Sequence, residues 1–109
     1  MVEYTFSLDS TFGALSDPTR RDILRRISNT ELSVGQIARF YDLTFAGVSK
    51  HLKVLERAKL IIKRRRGKEQ MVSLAPQAFA DAAEYLEWYR NLWETRLDSL
   101  EQYLNESKE

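Results

Sequence analysis

Side chains suited to covalent chemistry are nearly absent from this chain, whereas those suited to holding a polyanion are crowded together. There is no cysteine and a single histidine, His51. That excludes disulfides, thiolate metal sites, iron–sulfur clusters and thiol nucleophiles, and it leaves imidazole chemistry thin. No spacing pairs a nucleophile with a base or sets two carboxylates across a cleft, so an enzyme is not expected. The cations gather in two places. Lys50 and Lys53 stand with Ser49 and His51 in one apolar-periodic stretch, and Arg64, Arg65, Arg66 and Lys68 follow about ten residues later. Residues 1–49 carry a net charge of −1, residues 50–75 carry +7 and residues 76–109 carry −5, although the whole chain is only +1. A short basic middle beside an acidic tail is the asymmetry of an anion-binding surface next to a separate interaction element. On charge alone, a solvated basic face that binds nothing is an equal alternative.

Those cations need elements to position them. Ser33 followed by Gln36 forms a capping box, and Val34, Ile37, Ala38 and Tyr41 then share a helical face until Asp42 and Leu43 break the pattern. Thr44 caps the next helix, whose Val48, Leu52 and Leu55 recur at spacings of four and three. Its other side therefore carries Phe45, Ser49, Lys50, Lys53 and Arg57. Two helices across a turn of about three residues, the second with a cationic outer face, meet the minimum specification of a helix-turn-helix. Upstream, Asp17 and Pro18 open an amphipathic helix with Ile23, Leu24 and Ile27 on its core side, and residues 2–8 alternate as a short strand or ordered arm. Downstream, residues 60–64 and 70–74 read as a β-hairpin, with residues 65–68 as its charged turn. The crowded arginines at its tip repel one another, and a phosphate partner would relieve that.

From Pro76 onward the apolar positions Leu86, Tyr89, Trp93, Leu97, Leu100 and Leu104 follow a helical stripe. About thirty residues at 1.5 Å each make a helix of roughly 45 Å, longer than a small domain needs. Tyr85, Trp88, Leu92 and Tyr103 widen the stripe, so part of it is expected to meet a second copy of the chain. The aromatics at 85–93 serve either as packing or as the lining of a small-molecule pocket at that seam.

With 109 residues, one domain is expected, mostly α with a small β-hairpin: a helix-turn-helix over 33–57, a wing over 60–74 and a dimerisation helix over 76–106. No run approaches the eighteen or so apolar residues a bilayer span needs, and the start lacks a secretory pattern, so a cytoplasmic protein without membrane contact is expected.

Two stretches carry a family resemblance. Residues 14–24, ALSDPTRRDIL, resemble the opening of the ArsR-type winged-helix repressors, and residues 48–55, VSKHLKVL, resemble that family's recognition helix, followed as in the family by Leu60-Ile61 and a basic wing. The resemblance implies a homodimeric transcriptional repressor on an inverted-repeat DNA operator, released by an effector. Metal-sensing members place two cysteines where this chain has Ser33 and Gly35, and others use histidines on a terminal helix that here has none. The chain is thus similar to the cysteine-free branch, with no metal, no cofactor and an unidentified small-molecule effector. In that reading Thr44, Phe45, Ser49, Lys50 and Lys53 enter the major groove, with Ser49 and Lys53 the principal readers. Phe45 either touches a thymine methyl or belongs to the core. His51 lies in the motif as a neutral hydrogen bonder or partial core residue. Arg64, Arg65, Arg66 and Lys68 hold phosphates or enter a narrow minor groove. Leu86, Tyr89, Trp93, Leu97, Leu100 and Leu104 make the dimer seam. The competing reading is a winged-helix interaction module that docks an acidic protein and binds no DNA.

Overall fold

Caps decide where the helices begin. The computed structural model describes residues 2–107, and the chain divides into two units, Met1–Phe79 and Ala80–Glu109. In the first unit, α1 (Val2–Leu15) is followed by α2 (Pro18–Arg26), whose Asp17 carboxylate accepts from the Arg20 amide and whose Pro18 opens the first turn. A two-residue strand β1 (Leu32–Ser33) leads into α3 (Val34–Arg39), and the expected capping box is complete. The Gln36 amide donates to Ser33 Oγ at 3.1 Å, while the Ser33 amide donates to Gln36 Oε1 at 2.8 Å. Thr44 caps α4 (Phe45–Arg57). The hairpin β2 (Ile61–Arg66) and β3 (Glu69–Leu74) completes the unit.

Residues 2–8 are helical, not a strand or an arm. The alternation there is short, whereas Leu8, Thr11 and Ala14 recur every third residue and are all buried, so the helical period continues through the segment. The sheet also has a third strand. β1 pairs antiparallel with β3, Leu32 opposite Val72 and Ser33 opposite Met71, giving the order β1-β3-β2. The hairpin turn is tighter than residues 65–68. Strand pairing continues to Arg66 opposite Glu69, leaving Gly67 and Lys68, and Gly67 takes the left-handed φ of +61° that a two-residue turn asks of glycine.

The core of this unit joins Ile23 of α2 and its C-cap Ile27, Ile37 of α3, Val48, Leu52 and Leu55 of α4, Leu60, and Val72 of β3, all essentially inaccessible to water. Each such side chain contributes about 1.5–3 kcal/mol over exposure. The α4 helix ends without glycine: Lys59 adopts φ +61°, its amide donates to Glu56 O at 3.0 Å, and the Leu60 amide donates to Leu55 O at 3.0 Å. That is a Schellman closure with buried Leu55 and Leu60 as its apolar pair, and it reverses the chain directly into β2.

The second unit is α5 (Ala80–Ser107), 28 residues and about 42 Å long. It begins at Ala80, not at Pro76. The Ala75 amide still bonds Leu60 O, the Ala78 amide bonds Ala75 O, and Ala78 and Phe79 pack on the first unit's core, so the intervening residues stay tied to the hairpin. Along α5, Leu86, Tyr89, Trp93, Leu97, Leu100 and Leu104 are all exposed. Tyr89 meets Tyr85 and Trp88 edge-on at ring-centre distances of 5.1 and 4.8 Å. Among the described residues no helix is long and apolar enough to cross a membrane.

Candidate nucleic-acid interface

One face of α4 is committed to the core and the other to solvent. Val48, Leu52 and Leu55 are buried, Lys50 and Lys53 are exposed, and Ser49 is half-buried between the faces. Phe45 is 63% exposed, which removes the core alternative for it. At the helix start, Thr44 Oγ1 accepts from the Gly47 amide at 3.0 Å, and its own proton stays available to an outside acceptor. His51 turns inward. It is half-buried, with Nδ1 3.4 Å from Arg20 Nη1 and 3.9 Å from Asp17 Oδ2. Arg20 also donates to Ala14 O at 2.8 Å and Gly13 O at 3.1 Å, so one guanidinium joins the end of α1 and the start of α2 to the middle of α4. The Asp17 carboxyl is held below the usual range, first by its hydrogen bond from the Arg20 amide and then by neighbouring positive charge.

The strand's period of two sorts the wing's basic run. Ile61, Lys63 and Arg65 share one face with their partners Leu74, Val72 and Gln70, while Ile62, Arg64 and Arg66 share the other with Ser73, Met71 and Glu69. The first face leaves the core at Val72 and runs outward beside α4. There Lys63, only 17% exposed, bonds Glu56 of α4 at 3.3 Å and fixes the wing's base to the helix. Between the start of α3, the N-terminal half of α4 and the wing opens a cleft of about 330 Å³ whose walls include Phe45, Ser49, Leu52, Lys63, Arg65, Lys68 and Gln70, with one acid, Glu69. Helix residues and wing residues that lie far apart in sequence thus line one basic surface. Lys50 and Lys53 lie outside its lining, further along the exposed side of α4.

Arg64 and Arg66 do not join the cleft. On the opposite face, Arg64 Nη2 donates to Glu31 Oε2 at 3.0 Å and Oε1 at 3.3 Å, and Arg66 Nη2 donates to Glu31 Oε1 at 2.7 Å. Part of the repulsion within the arginine run is therefore relieved by this carboxylate. Sequence reasoning missed Glu31 because it lies 33 and 35 residues away and is brought near only by the β1–β3 pairing. Lys63 and Gln70 were missed as well, although strand alternation counted back from Arg65 and across the hairpin marks both.

The turn before α4 lacks glycine and is held by side chains. Tyr41 Oη donates to Asp22 Oδ2 at 2.5 Å, Arg26 Nε donates to the same oxygen at 2.8 Å, and the Arg26 guanidinium lies 3.9 Å over the Phe40 ring. The Tyr41 hydrogen bond, then that of Arg26, holds the Asp22 carboxyl below its ordinary range. Burial, reinforced by the bond to Asp22, pushes Tyr41 up to about 12. This clamp sets α3 and the turn on α2, and so sets where α4 starts. Among the described residues no group of three or more acids and histidines is placed to hold a metal ion.

Comparison with known proteins gives this arrangement its family. A helix-turn-helix domain family matches residues 15–64. The chain is 39% identical over 74 residues to the HTH-type transcriptional regulator Rv2034 of Mycobacterium tuberculosis, covering 68% of this chain and 69% of that protein. It is also 30% identical over 79 residues to the transcriptional repressor SdpR of Bacillus subtilis, covering 72% and 88%. The chain belongs to the ArsR-type winged helix-turn-helix transcriptional regulators. An ArsR-like regulator from Rhodococcus sp. RHA1 matches with a TM-score of 0.78 over 96% of both chains at 27% identity. The ArsR family regulator RHA00566 matches with a TM-score of 0.77 at 29% identity, over 83% of this chain and 93% of that one. In this ArsR-type chain α3 and α4 are the helix-turn-helix and the β2–β3 hairpin is the wing. Its curated relatives are transcriptional regulators, a class distinct from enzymes.

Proposed function

We propose that this chain is a homodimeric repressor that binds an inverted-repeat operator in double-stranded DNA. The observation that carries the reading is the cleft, which gathers Ser49 and Phe45 of α4 with Arg65 and Lys68 of the wing on one exposed basic surface. In this reading α4 lies in the major groove. Ser49 and Lys53 read base edges, Thr44 and Lys50 bond phosphates, and exposed Phe45 meets thymine methyls. The wing's Arg65 and Lys68 hold phosphate beside the groove, with Arg64 and Arg66 further out on the ribbon's other face. His51 contributes indirectly, through the position it shares with Arg20. Repression is supported by the likeness to SdpR. The exposed apolar stripe of α5 from Leu86 to Leu104 supports a dimer seam, and twofold symmetry then asks for half-sites roughly 34–36 Å apart or a multiple of that. The protein acts in the cytoplasm, and its effector is a small molecule or absent.

The test is a titration of random-sequence duplex, followed by selection of bound fragments from the source genome. Six to ten phosphate contacts predict a loss of about a thousandfold in affinity between about 50 and about 200 mM salt, and the selected fragments should share an inverted repeat. A salt-independent affinity, or no binding at low salt while an acidic protein is captured, would overturn the reading in favour of the interaction module.

A further inference from the structure

The wing holds more cationic charge than it offers. Arg64 and Arg66 extend over the outer face of the ribbon, across Met71, to a single carboxylate on the neighbouring strand's approach. Glu31 is only 20% exposed and is engaged by both arginines, whose own side chains are 65% and 62% exposed. A carboxylate has about four acceptor positions, and three hydrogen bonds from the two guanidiniums occupy most of them. Each arginine commits Nη2 alone to Glu31. Bidentate capture of phosphate uses two parallel N–H donors of one guanidinium; an arginine held at Nη2 keeps such a pair only in the orientation Glu31 imposes and with its charge shared, so a grip unshared with the carboxylate requires it to swing away.

We propose that Glu31 is an internal counter-ion that withholds Arg64 and Arg66 from DNA phosphate and thereby restrains the sequence-independent grip of the wing. The proposal rests on the DNA-binding reading and assigns Glu31 a positioning role within it. Solvent-exposed ion pairs are shallow, so phosphate competes for these arginines, but the exchange leaves an unpaired carboxylate beside the DNA backbone. Non-specific binding draws mainly on phosphate contacts, whereas operator binding adds base contacts. Glu31 therefore weakens random-DNA binding proportionally more than operator binding, and it acts as a determinant of specificity without touching a base.

The experiment compares the wild-type chain with Glu31→Gln on random-sequence duplex between about 50 and about 200 mM salt. The amide keeps the shape of the side chain and removes its charge. The expected result is tighter binding, with the slope of log K against log salt steeper by about 0.9 for each phosphate newly engaged. Arg64→Gln with Arg66→Gln is then introduced into both backgrounds. It should cost several-fold more affinity in Glu31→Gln than in the wild type, since the arginines are free only in the former. Equal costs, or a Glu31→Gln variant that binds no tighter and with no steeper slope, would overturn the proposal. Should Glu31→Gln fail to fold, the wild-type background decides. There Arg65→Gln with Lys68→Gln must flatten the salt slope more than Arg64→Gln with Arg66→Gln, and the reverse order overturns the proposal. A wild type that ignores random duplex at low salt refutes the DNA reading and this proposal together. A wild type that binds, beside an unaltered Glu31→Gln, refutes this proposal alone.

Discussion

Leu52 and Lys53 are adjacent in α4 yet should fail in entirely different ways. Leu52 is 1% exposed among Ile37, Val48 and Leu55, while Lys53 points to solvent with no ion pair recorded among the described residues. Truncating a leucine in such a core costs roughly 2–5 kcal/mol, transfer and cavity together. For a unit of this size each kcal/mol moves the melting temperature by about 4–8 °C, so Leu52→Ala should melt roughly 8–40 °C below wild type. Lys53→Ala leaves no cavity and no unpaired partner, and should melt within about 4 °C. Operator affinity should separate them in the other direction. Losing a base-reading lysine costs roughly 1–3 kcal/mol, about 5- to 150-fold in Kd, whereas Leu52→Ala well below its melting point should bind according to its folded fraction. Calorimetry and fluorescence anisotropy on the same preparations measure both quantities. The division of α4 into a core face and a DNA face is wrong if Lys53→Ala melts as low as Leu52→Ala, or if it binds operator like wild type.

Other parts of the molecule give equally direct expectations. Leu97 and Leu100 are exposed on α5, so Leu97→Glu with Leu100→Glu should yield monomers at micromolar concentration, and light scattering that still finds dimers places the seam elsewhere. The Asp22 and Asp17 carboxyls are held below 3.8 in the folded chain, so their stabilisation is present above that value and is lost as pH falls beneath it. Melting temperature should hold between about pH 7 and about pH 5 and drop below about pH 4, with a shallower drop in Asp22→Asn; parallel curves would exclude a contribution from Asp22. Tyr41 carries the opposite sign. Pushed up from 10.0 to about 12, its contribution is lost as pH rises through that interval, and Tyr41→Phe should remove this alkaline loss. Lys59 holds a left-handed φ of 61° that costs a side-chain residue about 1 kcal/mol, so Lys59→Gly should raise the melting temperature by several degrees, and a lowered one would show that the Lys59 side chain matters more than its backbone.

Legibility in the sequence followed the range of the interactions. Helix starts were readable because their chemistry is local: Asp17, Ser33 and Thr44 each bond an amide three residues on. The core stripe of α4 was readable because 3.6-residue periodicity needs no partner to be seen. The N-terminal helix was misread because a few alternating residues fit two periods, and only burial of Leu8, Thr11 and Ala14 selects one. β1 was invisible because two residues carry no period, and their strand character comes entirely from Val72 and Met71 across the sheet. The reversal at Lys59 was hidden because the residue there is not the glycine such closures usually take; Leu55 and Leu60, both buried, hold it instead.

The candidate site was half readable for a related reason. Composition locates a run of cations, but a strand assigns alternate members to opposite faces, and the boundary between them is fixed by which residue leaves the core first. Here Ile61 and Val72 are the last buried residues on the face beside α4, so Lys63 and Arg65 follow them into the cleft while Arg64 and Arg66 fall opposite Glu31. The segment 31–36 then acts on both structures at once. Glu31 holds the wing, Leu32 and Ser33 pair with β3, and Ser33 with Gln36 starts α3. With Glu56 gripping Lys63 from the other side, the wing is fastened to the helix-turn-helix by one carboxylate on each of its faces. The fastening that positions the wing also sets how much charge it presents.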